Sequence, residues 1–339
     1  MDSQSRIREN MRHIQAFEAK PNPKPLSETA VTRGFEKVAF PKLVRELSGD
    51  NPIVRQKALL AARDLLTSPV NLVQCVAAGA TPAIVALLGE SVRDNAYSAL
   101  IEAARFDSTR RALEELGDVL PRVMELVLEE VEGAPRRAQQ GLTLLYACTQ
   151  VRRNAGVLTQ LVDTSQAIPR LAELLDPRLP QPVRHAAAEL LGALSSREDA
   201  KIQAVQVGSV PLLLQVCSPR CSVDFATAAV AALAAITIRR EGKYAVVETA
   251  GGLAALVSVL DPANEQLCIN AMTTICNVAE APEAREILAE CGAAPKLQRI
   301  FEGALSEPLK RSAAHAIRQC RFKHLPYEVL PGAPALLAE

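Results

Sequence analysis

The sequence predicts an all-α chain folded as a superhelical solenoid, and three observations predict it. Short apolar helical stretches open at Pro41, Pro82, Pro121, Pro169, Pro211, Ala254 and Pro295, so successive openings lie 41, 39, 48, 42, 43 and 41 residues apart. A small residue recurs in a longer, alanine-rich helix after each opening, at Ala58, Ala96, Ala138, Ala187, Ala226, Ala271 and Ala313. A glycine precedes most openings, at Gly79, Gly117, Gly208, Gly251 and Gly292.

Each mark has a physical role. Proline in the first turn of a helix removes an N–H that has no intrahelical partner. Glycine after a helix accepts the left-handed conformation that ends it. Alanine at a repeated inward position lets one helix approach the next layer closely, where a larger side chain would overpack the core. Self-similarity near 40 residues with only helical patterns therefore reads as an armadillo/HEAT-type right-handed superhelical solenoid of about seven repeats.

Residues 169–209 contain one complete unit: IPRLAELL, the proline-rich turn DPRLPQP, the long helix VRHAAAELLGALSS, and a third helical stretch DAKIQAVQVG. Residues 1–26 are expected to be an N-terminal extension. Ile7, Met11, Ile14 and Phe17 would share one face of a short helix, with Arg6, Arg8, Glu9 and Arg12 around the other. The segment PNPKP then forms a stiff spacer. A frayed tail and an anchor helix, docking on a partner or on the solenoid's own end, both fit. Residues 27–322 are assigned to the solenoid, whose first leading helix is missing or replaced by 27–38, as expected for a terminal cap.

The first repeat contains FPKLVREL and IVRQKALLAARDLL; the second, TPAIVALL and VRDNAYSALIEAAR. The third is the longest, with its excess near Gly133–Pro135 and in 152–168. Its acidic cluster, Glu125, Glu129, Glu130 and Glu132, is expected to be a solvated face. VPLLLQV with ATAAVAALAAIT, LAALVSVLDP with CINAMTTICNVAE, and APKLQRIFEG with LKRSAAHAIRQC complete the series. Residues 323–339 carry Pro326, Pro331, Gly332 and Pro334 and read as a proline-rich C-terminal tail, in which Pro326-Tyr327 or Leu336-Leu337 could clip onto a neighbour. Layers about 8–10 Å apart give a curved rod of roughly 60–80 Å with a long surface; in folds of this class the long helices line the concave side.

Composition excludes several function classes. The 339 residues carry 38 basic and 38 acidic side chains, so the basic footprint of a nucleic-acid or acidic-membrane binder is missing. No apolar run approaches membrane-spanning length, and the N-terminus lacks a signal-peptide core. Cys75, Cys148, Cys217, Cys221, Cys268, Cys276, Cys291 and Cys320 are scattered, mostly as small helix-core hydrophobes. Only Cys217 and Cys221 lie close, with no second pair to complete a zinc site. That usage fits a reducing, intracellular compartment.

No catalytic, cofactor-binding or metal constellation emerges. His13, His185, His315 and His324 lie apart in sequence, and no nucleophile elbow, phosphate loop, zinc-peptidase helix or dinucleotide fingerprint appears. Arginine doublets at 110–111, 136–137, 152–153 and 239–240 fall at repeat junctions or helix ends without interleaved aromatics. A non-enzymatic chain is expected, with no cofactor, small-molecule substrate, nucleic acid or membrane.

The three-helix unit, the glycine before the proline, and the V-R-x-x-A-x-x-A start of the long helix resemble the armadillo repeat from about residue 40 to 320. In peptide-binding armadillo proteins an asparagine ladder on the long helices clamps an extended peptide, flanked by tryptophans. The matching positions here are Asp64, Glu102, Leu144, Ala193, Ala232, Asn277 and Gln319; only Asn277 keeps the amide, and tryptophan is absent. Three stretches further resemble the armadillo-repeat subunit of the axonemal radial spoke, of the rhabdoid-tumour-deletion-region type: FPKLVREL with RQKALLAARDLL, EGKYAVVE at 241–248, and AEAPEAREIL at 279–288. That resemblance implies a structural subunit of a large hetero-complex in the axoneme of motile cilia or flagella, a cytoplasmic and cytoskeletal location, and other spoke subunits as partners. A peptide-binding adaptor and a cytoplasmic assembly chaperone are the alternatives. Arg63, Asp64, Glu102, Asn277 and Gln319 are the expected partner-binding residues on the concave face.

Overall fold

The structure, a computed structural model, describes residues 3–18, 38–150, 155–218 and 221–321. Helix α1 covers Ser3–Glu18, with Ile7 and Met11 exposed on it. The spacer, the segment 27–37 and the tail 323–339 lie outside the described residues.

Seven units follow. They are α2 (Ala39–Leu47), α3 (Pro52–Leu66) and α4 (Pro69–Ala77); α5 (Ala80–Ala86), α6 (Arg93–Ala103) and α7 (Asp107–Glu115). Then come α8 (Val119–Glu130), α9 (Pro135–Thr149) and α10 (Ala155–Thr159); α11 (Ala167–Glu173), α12 (Gln181–Leu194) and α13 (Glu198–Gln206). The last are α14 (Ser209–Gln215), α15 (Val223–Ile236) and α16 (Arg240–Glu248); α17 (Gly252–Ser258), α18 (Glu265–Val278) and α19 (Pro282–Glu290); and the pair α20 (Ala293–Gly303) and α21 (Glu307–Arg321). The chain is all-α across its described residues.

The long helices α3, α6, α9, α12, α15, α18 and α21 stack in order, each on the next, and each opening helix packs on the long helix of its own unit. One core runs without a break from Phe40 to Ile317. It consists chiefly of leucine, alanine and valine, because thin layers leave room for one side chain between helices. Among the described residues no single helix is long and apolar enough to cross a membrane; α4 and the segment Ala80–Gly89 qualify only as a pair bent by 75°.

The five glycines that precede opening helices all have positive φ, from 68° at Gly292 to 87° at Gly79. The sixth such place, before α11, is taken by Gln166 at φ 48°. There the chain arrives from an irregular turn: residues Gln160–Thr164 form a π-helical turn, and the Ser165 N–H donates to the Gln160 carbonyl. An extra residue is absorbed in that wide turn, which is part of the third unit's added length. The proline-rich turn before α12 is held by Asp176. It accepts the Arg178 guanidinium at 2.6 Å and the Arg178 backbone N–H at 2.8 Å, which hold the Asp176 carboxyl down at about 2.

Burial corrects the repeat register in two units. The long helices share a buried small–apolar pair followed by an apolar residue three later: Ala58-Leu59-Ala62, Ala96-Tyr97-Leu100, Ala187-Ala188-Leu191 and Ala271-Met272-Ile275. In α9 the match is Gly141-Leu142-Leu145, and in α15 it is Ala229-Val230-Leu233. The recurring small position is thus Gly141 rather than Ala138, and Ala229 rather than Ala226. Alanine-rich helices carry small residues on several faces, so spacing alone did not separate the inward one. Gly141 is tightly constrained. A Cβ there would lie 2.5 Å from Val127 Cγ2 and 3.3 Å from the Tyr97 hydroxyl.

The acidic cluster of the third unit is only partly solvated. Glu125, Glu129 and Glu132 are exposed, but Glu130 is 7% exposed and accepts a hydrogen bond from Arg93. A carboxylate at the end of α8 is buried because the guanidinium on α6 accompanies it. Tyr97 lies fully buried, its hydroxyl pushed far up by burial and then by the Glu130 charge.

Ion pairs between units lace the stack along its edges. Arg55 meets Glu90 at 2.5 Å, Arg137 meets Asp94 at 2.7 Å, and Arg170 meets Glu125 at 2.6 Å. Arg197 reaches Asp163 at 2.9 Å and Arg239 reaches Glu198 at 3.5 Å, while Lys243 pairs with Glu280. Each joins a half-buried base to a largely solvated acid, so each contributes about 0–1 kcal/mol; their number matters more than any one.

Candidate functional site: the concave groove

An open groove of about 590 Å³ crosses the middle of the long-helix layer. Its walls come from four successive long helices and the residue after α9: Tyr146 and Gln150, then His185 and Glu189, then Asp224 and Thr227, then Gln266 and Asn270. Its floor is Gly192, Ala193, Ala228 and Ala231. The hollow is lined by the long-helix layer alone.

The floor is flat because its side chains are small. A Cβ on Gly192 would lie 3.3 Å from the Ala232 Cα, so α12 and α15 approach backbone to backbone. The wall amides are already satisfied: Gln266 Nε2 donates to Asn270 Oδ1 at 2.9 Å, and Asn270 Nδ2 donates to the Thr227 carbonyl at 3.3 Å.

The acidic groups have much weaker partners. His185 Nε2 lies 3.8 Å from Glu189 Oε1, at the edge of ion-pair range. Arg184, next to His185, turns away to stack over the Phe225 ring at 5.1 Å and to donate to the Leu175 carbonyl at 3.2 Å. Burial holds the Glu189 carboxyl above its usual range; His185 opposes this and the charge of Asp224 adds to it. Burial, then Glu189, also raises the Tyr146 hydroxyl.

The five expected partner-binding residues all fall on long helices, five or six positions after the repeated small residue. Arg63 and Asp64 are exposed at one end of the row and lie 3.7 Å apart. Glu102, half-buried on α6, pairs with Arg105 at 3.1 Å. At the other end stand Asn277 on α18 and Gln319 on α21; Gln319 Nε2 is 3.5 Å from His315 Nε2. The centre of the row holds Tyr146-Ala147, Gly192-Ala193 and Ala234-Ala235. Leu144 and Ala232, which the armadillo ladder would bring outward, are buried, a consequence of the three-residue register shift in α9 and α15.

Sequence reasoning missed Glu189 and Asp224. Glu189 is the one carboxylate among the residues two after the small position, a row otherwise made of Leu60, Ser98, Thr143, Ala231, Thr273 and His315. With the register right, that row singles it out. Among the described residues no cluster of three His, Cys, Asp or Glu could hold a metal.

Comparison with solved structures places this architecture among armadillo-repeat proteins. An engineered protein superposes with a TM-score of 0.59 at 19% identity, over 84% of this chain and 79% of the other. A crystal structure of computationally designed armadillo repeat proteins for modular peptide recognition aligns with a TM-score of 0.51 at 19% identity, over 83% and 99%. A designed armadillo repeat protein in complex with the peptide (KR)4 gives 0.50 at 19% identity, over the same shares. No protein-family model matches the chain. Among curated proteins, radial spoke protein 14 of Chlamydomonas reinhardtii is 66% identical over an alignment of 387 residues that covers all of both chains. The fold defines an armadillo-type solenoid. The chain belongs to the radial spoke protein 14 family.

Proposed function

We propose that the chain is a non-enzymatic structural subunit of the radial spoke in the axoneme of motile cilia or flagella, and that its concave face holds other spoke subunits in register. The end-to-end 66% identity with a Chlamydomonas radial spoke protein carries this reading. The fold suits it. Stacked units brace only their neighbours yet present one continuous surface, so a force-bearing assembly gains a long interface without a large globular core.

Arg63, Asp64, Glu102, Asn277 and Gln319 are the residues we expect to contribute partner contacts at the two ends of the inner row. Binding energy in such interfaces concentrates in few residues. The extensions 1–26 and 323–339, flanking a solenoid assigned to 27–322, are proposed as additional attachments. No cofactor, nucleic acid, membrane or small substrate is needed.

Fractionation tests the proposal. The protein should remain with demembranated axonemes and leave only in high salt. Release by detergent alone would overturn it, and would favour a soluble adaptor that binds an extended peptide in the central groove. The shared fold with designed peptide-recognising armadillo proteins makes that adaptor the second reading. Immunolocalisation to the cell body, absent from mature flagella, would indicate an assembly chaperone instead.

A further inference from the structure

We infer that helix α1 lies across the open outer face of the first unit, seating Ile7 and Met11 against Val70 and Val73 of α4. The inference concerns the chain's own N-terminus and stands apart from the spoke reading. It commits the apolar side of the helix to the solenoid's own end.

The first unit is unlike the rest. Val38, Ile53, Leu60, Val70 and Val73 are exposed there, whereas no later unit exposes more than two large apolar side chains among the described residues. Val70 and Val73 are 68% and 57% exposed and share one face of α4 with the exposed Ala77. Later units show what this face meets. Counted back from the left-handed residue before each opening helix, Val73 matches Gln160, whose side-chain amide donates to the Glu114 carbonyl of the preceding unit at 2.9 Å. A third helix thus turns this face to the layer before it, and α4 has no such layer among the described residues.

The opposite end is built for water. A long helix meets its successor through Asp94 and Tyr97 on α6, Gly192 on α12 and Thr237 after α15. At the matching positions α21, the last described long helix, carries Arg311, Ala314, Arg318 and Arg321, and the three arginines are exposed. Terminal units of a solenoid need such a polar outer face. The first unit has an apolar one, which requires a cover.

Helix α1 has the form and the reach of that cover. Ile7 and Met11 stand one turn apart and are 58% and 56% exposed, with Arg6, Arg8 and Glu9 around the other sides. A lone 16-residue helix is marginal in water and draws its stability from packing an apolar stripe. Nineteen residues join Glu18 to Val38, enough to span about 60 Å when extended, whereas the three helices of the end face are about 30 Å across. A tether of that kind gives α1 a high effective concentration at the face, ahead of any partner helix free in solution. Its polar side stays outermost, so the attachment proposed for the extension is made through that side.

The chain has no tryptophan, so Met11→Trp in the full-length protein is a single reporter. Its emission should lie to the blue of the same substitution in a synthetic peptide of residues 1–20, as for an indole removed from water. Val70→Asp with Val73→Asp, both at exposed places, should return the emission to that of the peptide. Arg318→Gln, at the far end, should leave it unchanged. Emission equal to the peptide's would overturn the inference, as would a blue shift that survives the Asp pair in a chain whose circular dichroism shows it folded. The blue shift should also persist on dilution; its loss would overturn the inference by assigning the cover to a second copy.

Discussion

The side-chain amide of Asn277 donates to the Ala234 carbonyl, 3.1 Å away on the preceding long helix. The same nitrogen lies 3.2 Å from Thr237 Oγ1. The carbonyl is one of the last four of α15, which have no partner within their own helix. Asn277 therefore caps its neighbour across a repeat boundary, and only its oxygen is left to meet a partner. Asn277→Ala should destabilise the fold by about 1 kcal/mol, read as a lower urea midpoint with an unchanged slope. Asn277→Asp should cost more, because a carboxylate cannot donate. An unmoved midpoint would mean that this bond contributes nothing in solution.

Gly141 offers a test of the corrected register. Replacing glycine by alanine inside a helix normally stabilises by about 0.5–1 kcal/mol. Here the added methyl meets Val127, and overpacking costs about 1–3 kcal/mol, so the net effect should be destabilising. Val127→Ala removes the clashing Cγ2 and should recover part of the loss in the double variant. Ala187→Leu, at the equivalent fully buried place of α12, should likewise lower the melting temperature.

Gln166 offers the opposite case. A non-glycine residue in the left-handed region costs about 1–2 kcal/mol, partly offset by the smaller backbone entropy it loses on folding. Gln166 is exposed and sits where the other units have glycine. Gln166→Gly should therefore raise stability by up to about 1 kcal/mol, measured by urea or thermal unfolding. A loss of stability would show that the side chain holds the turn.

Arg93 and Glu130 should behave as a pair. Glu130→Gln leaves the half-buried Arg93 guanidinium without its counter-charge and should cost about 2–3 kcal/mol, less than a fully buried pair. Arg93→Met with Glu130→Leu removes both charges and should come close to the wild type. Equal losses in the single and double variants would mean that packing, rather than charge, is what the pair supplies.

The cysteines should divide by burial. Burial pushes Cys75, Cys268 and Cys320 up to about 11, and Cys148, Cys217 and Cys276 up to about 12, with the neighbouring Cys221 adding to Cys217 and Cys320 adding to Cys276. The thiolate is the reactive form, so these six should label slowly with a disulfide reagent near neutral pH. Cys221, Cys291 and Cys320 are partly exposed, and Cys221 and Cys291 should react first, because burial raises the Cys320 thiol despite its exposure. Mass spectrometry of a time course would read the order.

The architecture was legible because a repeat states its rules several times. Proline at an opening, glycine before it and a small residue in the long helix are local requirements, and each is visible wherever it recurs. Gln166 shows the limit: the left-handed turn persists without the glycine that advertises it, because the π-turn ahead of it changes how the chain arrives. Ala138 and Ala226 show another, since an alanine-rich helix offers several small residues at helical spacing and packing alone selects Gly141 and Ala229.

The sequence by itself determined the class of fold, the number of layers and the family, since all three depend on local pattern and identity along the chain. Tertiary structure decided which carboxylates are matched. Glu130, read as solvated, is buried because α6 brings Arg93 beneath it. Glu189 and Asp224, 35 positions apart, share one hollow because α12 and α15 stack through Gly192. Charge balance over a whole chain says nothing about such pairings. They depend on distances of a few ångströms between helices, and only the stacked layers set those distances.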